Sequence, residues 1–241
     1  MQIIQSKLLN NFSEISHGFT TKEHSNLAFH VGDNTKSVIQ NHQALSDLMK
    51  YNKTRLVHMK QIHSNLVKRV DNKDNFSNPP TCDALITNKK NTPLMVMVAD
   101  CSPILFYDPK HQVIAVAHAG RAGAFLNIIQ KVCNSFEQEF NSSCEDIIVS
   151  VGCSIKECCY EVGEEVYREA QGLNLEYSLS KRHGNYYLNI ESILHKQLLA
   201  AGIEESNIEF SNECSCCSSD KYYSYRAENI TGRFAGLIYL T

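Results

Sequence analysis

No apolar stretch in this sequence is long enough to cross a membrane. The longest uninterrupted run, Leu94 to Ala99, falls far short of the roughly 18 residues a span requires. The first turns of chain carry no sustained apolar block, so no export leader is expected. Basic charge is not in excess: 23 Lys and Arg against 26 Asp and Glu leave a net charge of -3, and no Lys/Arg run forms a stripe for nucleic acid. Internal repeats and long linkers are also missing, which removes solenoids and flexibly tethered arrays. What remains is a 241-residue chain, 43% apolar and 20% charged, of ordinary globular composition. It contains ten cysteines. In a secreted protein these would suggest a disulfide framework. Without a leader the expected compartment is the cytoplasm, where they are thiols, metal ligands or a nucleophile.

Taken in order, Ile15 to His30 reads as strand and loop. Ser37 and Gln40 form a capping box before a helix marked by Val38, His42, Leu45, Leu48 and Met49. Strands are expected over Asn65 to Val70, Thr81 to Thr87, Leu94 to Asp100, Ile104 to Tyr107 and Gln112 to His118, the third buried on both faces for want of polar alternation. Gly123 should open one helix with Phe125, Ile128, Ile129, Val132, Phe136 and Phe140 inward. Further elements are a strand over Asp146 to Gly152, a helix over Gly163 to Gln171 and a helix capped by Asn189. Strands close the chain at Asn207 to Ser211, Tyr222 to Arg226 and Phe234 to Leu240. Strands and helices mix without strict alternation, so the expected fold is a mixed α/β domain spanning residues 1–241.

Three residues stand at or near the ends of these apolar runs: His63, Cys101 and His118. Two imidazoles and a thiolate suit a borderline-soft divalent metal, and three protein ligands leave a fourth position for water or substrate. No short spacing rule binds the three together, so convergence across strands has to be supplied by the fold. Each alone would more often be an ordinary core residue. The helix expected at Gly123 would present its free amides just after His118, with Arg121 beside them, as a mouth for an anion.

The order of motifs carries a resemblance. His17-Gly18-Phe19-Thr20-Thr21, His30-Val31-Gly32-Asp33, Gln61-Ile62-His63, Ala99-Asp100-Cys101-Ser102-Pro103 and Ala117-His118-Ala119-Gly120 come first. Cys158-Cys159-Tyr160-Glu161-Val162-Gly163, Tyr223-Ser224-Tyr225-Arg226 and Thr231-Gly232-Arg233 follow. Together they resemble the bacterial family named variously multicopper polyphenol oxidoreductase (laccase-like), purine nucleoside phosphorylase/adenosine deaminase and peptidoglycan editing factor. The resemblance implies a layered sandwich of mixed sheets covered by helices, with zinc on His63, Cys101 and His118. It also implies phosphorolysis of adenosine, inosine and methylthioadenosine, and deamination of adenosine. Lys22, Asn26, Arg121 and Arg226 are then the candidates to bind nucleoside and phosphate, in a monomer or homodimer. Two departures fall near the site. The family's His-Ala-Gly-Trp-Arg-Gly reads His118-Ala119-Gly120-Arg121-Ala122-Gly123 here, and its Arg after Phe-Thr-Thr is Lys22, which binds phosphate as a point charge and not as a planar fork.

Two other chemistries compete. Copper on the same His-Cys-His set would make a laccase-like oxidase, but a multicopper site needs His-x-His pairs, and the ten histidines form none. A free Cys101 thiolate paired with His118 would make a hydrolase of amide bonds or peptidoglycan precursors. Separately, the clustering of Cys153, Cys158, Cys159, Cys214, Cys216 and Cys217 would suit a structural zinc of four thiolates. Only Cys214 and Cys217 have Cys-x-x-Cys spacing, so spacing favours plain thiols there.

Overall fold

The computed structural model describes residues 2–241. In chain order the strands and helices are β1 (Ile15–Phe19), α1 (Thr35–Met49), β2 (Val67–Arg69), β3 (Ala84–Thr87), β4 (Leu94–Val98), β5 (Ser102–Asp108), β6 (Val113–Ala119), α2 (Arg121–Phe125), α3 (Ile128–Phe140) and β7 (Ile148–Val151). They continue through β8 (Glu161–Val162), α4 (Glu164–Gly172), β9 (Leu179–Arg182), β10 (Asn185–Leu188), α5 (Ile190–Ala200), β11 (Ile208–Phe210), α6 (Tyr225–Glu228) and β12 (Phe234–Leu240).

Beta strands β5 and β6, buried along their whole length, form the centre of a mixed sheet ordered β11-β7-β5-β6-β3-β2. Because side chains alternate across a strand, Ile104 and Phe106 of β5 and Ala115 and Ala117 of β6 face one side. There they meet Ile128, Ile129, Val132 and Phe136 of α3 and Ile193, Leu194 and Leu198 of α5. Leu105 and Tyr107, with Ile114 and Val116, face the other way onto the antiparallel sheet β1-β12-β4, through Val96, Val98, Phe234 and Ile238. The far side of that sheet, carrying Met95, Met97, Ala235 and Leu237, is covered by Leu45 and Met49 of α1. The layers thus run helix, sheet, sheet, helix, which is the layered mixed α/β sandwich expected. Complete burial of each large α3 side chain contributes about 1.5 to 3 kcal/mol, so the central sheet is held rigid between two apolar interfaces. A small sheet, β8-β10-β9, meets α4 where Tyr186 of β10 stacks on Tyr167.

Several boundaries differ from the sequence expectation, each for a local reason. The single helix expected from Gly123 is two helices. Asn127 adopts a left-handed conformation (φ 52) between them and caps α3 by accepting the Gln130 amide at 3.1 Å. The first helix starts earlier than expected, at Arg121, with Gly120 as its cap residue. The strand expected over Tyr222 to Arg226 is a loop leading into α6. Ser224 caps that turn, accepting from Ala227 N–H at 3.2 Å, while its hydroxyl donates to Asp100 at 2.7 Å. Strand β3 begins at Ala84 and not Thr81, because Asp83 turns its carboxylate to the loop at residues 62–64.

Candidate active site and metal centre

The site forms where the central sheet ends. Strands β5 and β6 pair with Ser102 opposite Ala119 and Pro103 opposite His118, so Cys101, just before β5, lies beside the end of β6. His63 arrives from the loop between α1 and β2. One ligand atom from each of His63, Cys101 and His118 lies within 4.8 Å of the other two. His118 is buried, Cys101 half-buried and His63 exposed, so the trio opens from core to mouth. That grading leaves one side of the group accessible, as a catalytic metal site requires.

Asp83 organises two of the three ligands, a role with no sequence motif to announce it. Its Oδ1 accepts from His118 Nδ1 at 2.9 Å and from His63 N–H at 3.1 Å. Its Oδ2 accepts from Ser64 N–H at 2.7 Å, Ser64 Oγ–H at 2.6 Å and Ile62 N–H at 3.3 Å. Burial alone would push this carboxyl up, but the bonds from His118 and Ser64 overcome it and hold the pKa down at about 2. Burial likewise opposes charge on His118, yet the Cys101 sulfur and the Asp83 carboxylate raise it to about 9. With the Nδ1 proton fixed on Asp83, His118 Nε2 is left to face Cys101 and any metal, the orientation that a carboxylate imposes on a ligating imidazole.

The loop carrying His63 is pinned twice. Gln61 bonds to β4 in both directions, Nε2 donating to Met97 O at 2.8 Å and Oε1 accepting Met97 N–H at 3.0 Å. Asp83 holds residues 62–64 from the other side. These bonds stabilise a left-handed backbone at His63 (φ 58), and Asp100 beside Cys101 also has positive φ (86). Asp100 anchors the C-terminal segment to the site: its carboxylate accepts from Ser215 Oγ–H, Ser224 Oγ–H and Arg226 N–H, each at 2.7 Å. At Gly120 the backbone passes close to two of the ligands. A Cβ there would lie 2.7 Å from Cys101 Sγ and 3.4 Å from His63 Nδ1, so only glycine leaves both groups in place. This donor set, two imidazoles and a sulfur over a carboxylate-fixed histidine, fits zinc in ligand type and in number.

A cavity of about 510 Å³ opens over the trio. Met97, Val98, Ile155 and Tyr160 give it apolar walls, and Arg121, Arg226 and Arg233 give it a cationic rim. Of the expected substrate residues, Arg121 and Arg226 line this cavity; Lys22 and Asn26 do not. Lys22 is spent on Ser219 O at 2.6 Å and Glu228 at 2.5 Å. Asn26 bonds to Ala28 in both directions and accepts Arg233 N–H at 2.9 Å, so it fastens backbone and does not face the cavity. Arg121 is paired with Glu169. Arg226 ties its guanidinium to Cys159 O at 2.7 Å and Glu161 O at 3.0 Å. Arg233, named in the sequence only as the end of Thr231-Gly232-Arg233, emerges as a half-buried cation of the rim. Its signal was present in Thr231-Gly232-Arg233, but no spacing tied it to the ligands.

Comparison with known proteins places this geometry. Residues 12–241 match the family described as multi-copper polyphenol oxidoreductase laccase. The chain belongs to this family. It is 34% identical over 222 residues to a protein of Clostridium acetobutylicum named purine nucleoside phosphorylase, covering 92% of this chain and 88% of that one. It is 35% identical over 218 residues to another so named in Corynebacterium glutamicum, covering 89% and 86%. The crystal structure of the Bacillus licheniformis hypothetical protein YfiH superposes with a TM-score of 0.90 at 28% identity, covering 97% of this chain and 94% of that one. Among the described residues no helix is long and apolar enough to cross a membrane.

Proposed function

We propose that this chain is a zinc-dependent purine nucleoside enzyme of the cytoplasm that phosphorolyses adenosine, inosine and methylthioadenosine and deaminates adenosine. The observation that carries the reading is the convergence of His63, Cys101 and His118 at the base of a cavity with apolar walls and an arginine rim. A volume of about 510 Å³ suits a nucleoside-sized ligand. The names of the relatives support the same substrate class. Zinc on the three ligands would supply Lewis acidity toward water or a phosphate oxygen.

The chain's own groups account for the rest. Tyr160 and the aliphatic walls receive the purine face, and exclusion of water there strengthens every polar contact inside. Arg121 and Arg233 hold phosphate by charge-assisted bonds and orient it toward the ribose. Asp83 holds one His118 proton on Nδ1, so that the proton a bound metal would displace is the one on Nε2, leaving that nitrogen as the ligand. Copper is the less suitable metal for this set. The other metal-ligand group among the described residues is made of cysteines, whereas a multicopper centre needs further histidines. Purified enzyme should convert inosine to hypoxanthine only with phosphate present, and adenosine to inosine without it. Equal hypoxanthine release in phosphate-free buffer, or no turnover by zinc-loaded protein, would overturn the reading.

One arrangement favours a second reading: Cys101, His118 and Asp83 also form the thiol, imidazole and carboxylate relay of a cysteine nucleophile. Metal separates the two. A nucleophile works best in stripped protein and is lost on alkylation, whereas the zinc enzyme is inactive when stripped.

A further inference from the structure

Away from the catalytic cavity, the turn at Cys158-Cys159 meets the turn at Cys214 to Cys217. Their segments are aligned by a parallel bridge between Ser154 and Cys214 and by Ser215 N–H donating to Ser154 O at 3.0 Å. Four sulfurs meet there: those of Cys158, Cys159, Cys214 and Cys217 all lie within 4.8 Å of one another. Individual separations are 3.7 Å for Cys158–Cys159, 3.6 Å for Cys158–Cys217 and 3.3 Å for Cys159–Cys217. A tetrahedron of sulfurs about 2.3 Å from a central zinc has edges of about 3.8 Å. A disulfide would need about 2.05 Å, and all four cysteines are free. Plain burial does not explain the cluster, because Cys158 and Cys217 are exposed. From these observations we propose that Cys158, Cys159, Cys214 and Cys217 form a second metal site, a closed four-thiolate site for zinc or another thiophilic divalent ion.

Nearby contacts fit a thiolate site and connect it to the catalytic one. Lys156 N–H donates to Cys214 Sγ at 3.3 Å, the amide-to-sulfur bond that stabilises a ligating thiolate. Binding releases the proton of each thiol as its sulfur joins the ion. Cys159 O accepts from the Arg226 guanidinium at 2.7 Å, and the next residue, Tyr160, walls the catalytic cavity. Ser215, between two of the ligands, donates to Asp100 beside Cys101 at 2.7 Å. A metal here would clamp two loops that are far apart in sequence and so fix one wall of the cavity. The site is structural in this role, because four protein ligands leave no position for substrate. It does not depend on what the His63, Cys101 and His118 group catalyses.

The test uses full-length protein expressed with zinc in excess and purified under reducing conditions, with the C101A variant made to empty the first site. C101A should retain about one zinc per chain, and X-ray absorption at the zinc edge should show a shell of sulfur alone. Adding C158S and C217S, both exposed positions that the fold tolerates, should lower that zinc at least tenfold, with the circular dichroism spectrum retained. In native C101A protein, thiol-reactive dye should find these cysteines protected until a chelator is added. The proposal is overturned if C101A carries no zinc, if zinc persists in the triple variant, or if non-reducing mass spectrometry recovers these cysteines as a disulfide.

Discussion

The Asp83→Asn substitution isolates the contribution of the carboxylate that orients the ligands. Asparagine keeps the size of the side chain but replaces one oxygen with an NH2 group that can only donate. Three donors converge on Oδ2, from Ile62 and Ser64, at 2.6 to 3.3 Å. Two converge on Oδ1, from His63 and His118. The amide therefore keeps its oxygen toward Ser64 and turns its NH2 toward His118. His118 can satisfy that NH2 only by accepting at Nδ1, which moves its own proton to Nε2, the nitrogen needed for the metal. Loss of a carboxylate behind a ligating histidine typically costs tenfold to a hundredfold in metal affinity, or about 1.4 to 2.8 kcal/mol. The cost here should sit toward the upper end, because the same change also sets an N–H against the His63 amide. Competition with a chromophoric zinc chelator measures it directly. Near-UV circular dichroism checks that the loop at residues 62–64 stays in place. An unchanged zinc affinity with the fold intact would refute the assignment of Asp83 as the orienting group.

What the sequence could show depended on how local the signal was. Strand β12 is uniformly apolar and was legible at its observed limits, and Asn189 capped α5 as read, its side chain accepting Ser192 N–H at 3.0 Å. The residues His63, Cys101 and His118 were visible because each closes an apolar run next to a turn. Asp83 was not, since a single acid between Cys82 and Ala84 has no pattern, and its partners lie 19 to 35 residues away. Arg233 was obscured for the same reason: an arginine reveals a role only through the cavity it lines. The four cysteines failed by separation. Cys214 and Cys217 show metal-type spacing, but Cys158 and Cys159 are adjacent and some 55 positions upstream, within reach only because Ser154 pairs with Cys214. The break at Asn127 shows the opposite limit. An apolar periodicity continued across it, and a left-handed residue with its own capping bond overrode that periodicity.

Cys101→Ala should remove zinc from the first site and abolish nucleoside turnover while the thermal transition persists; full activity in that variant would sink the metal assignment. Gly120→Ala, permitted by its backbone (φ −84), places a methyl group 2.7 Å from Cys101 Sγ and should weaken zinc binding at least about tenfold. Calorimetric titration reading the native affinity would contradict it. Arg233→Ala should raise the KM for phosphate roughly tenfold or more with zinc retained. Arg121→Ala should have less effect, because Glu169 already engages that guanidinium; a larger effect at Arg121 would reverse the two roles. The last prediction concerns acid. His17 and His42 are buried, and burial lowers the pKa of each from 6.5 to about 4. A base whose folded pKa is depressed contributes its stability fully above the unfolded value, because the unfolded chain takes up protons that the folded chain refuses below it. Stability should therefore be complete above pH 6.5 and fall as pH drops toward about 4, by on the order of 3 kcal/mol at most for each histidine. Urea unfolding at a series of pH values measures this slope. The H17Q/H42Q double variant keeps an acceptor for Ser6 N–H and a donor for Leu27 O, and should flatten it. An equally steep loss in that variant would assign the acid sensitivity to other groups.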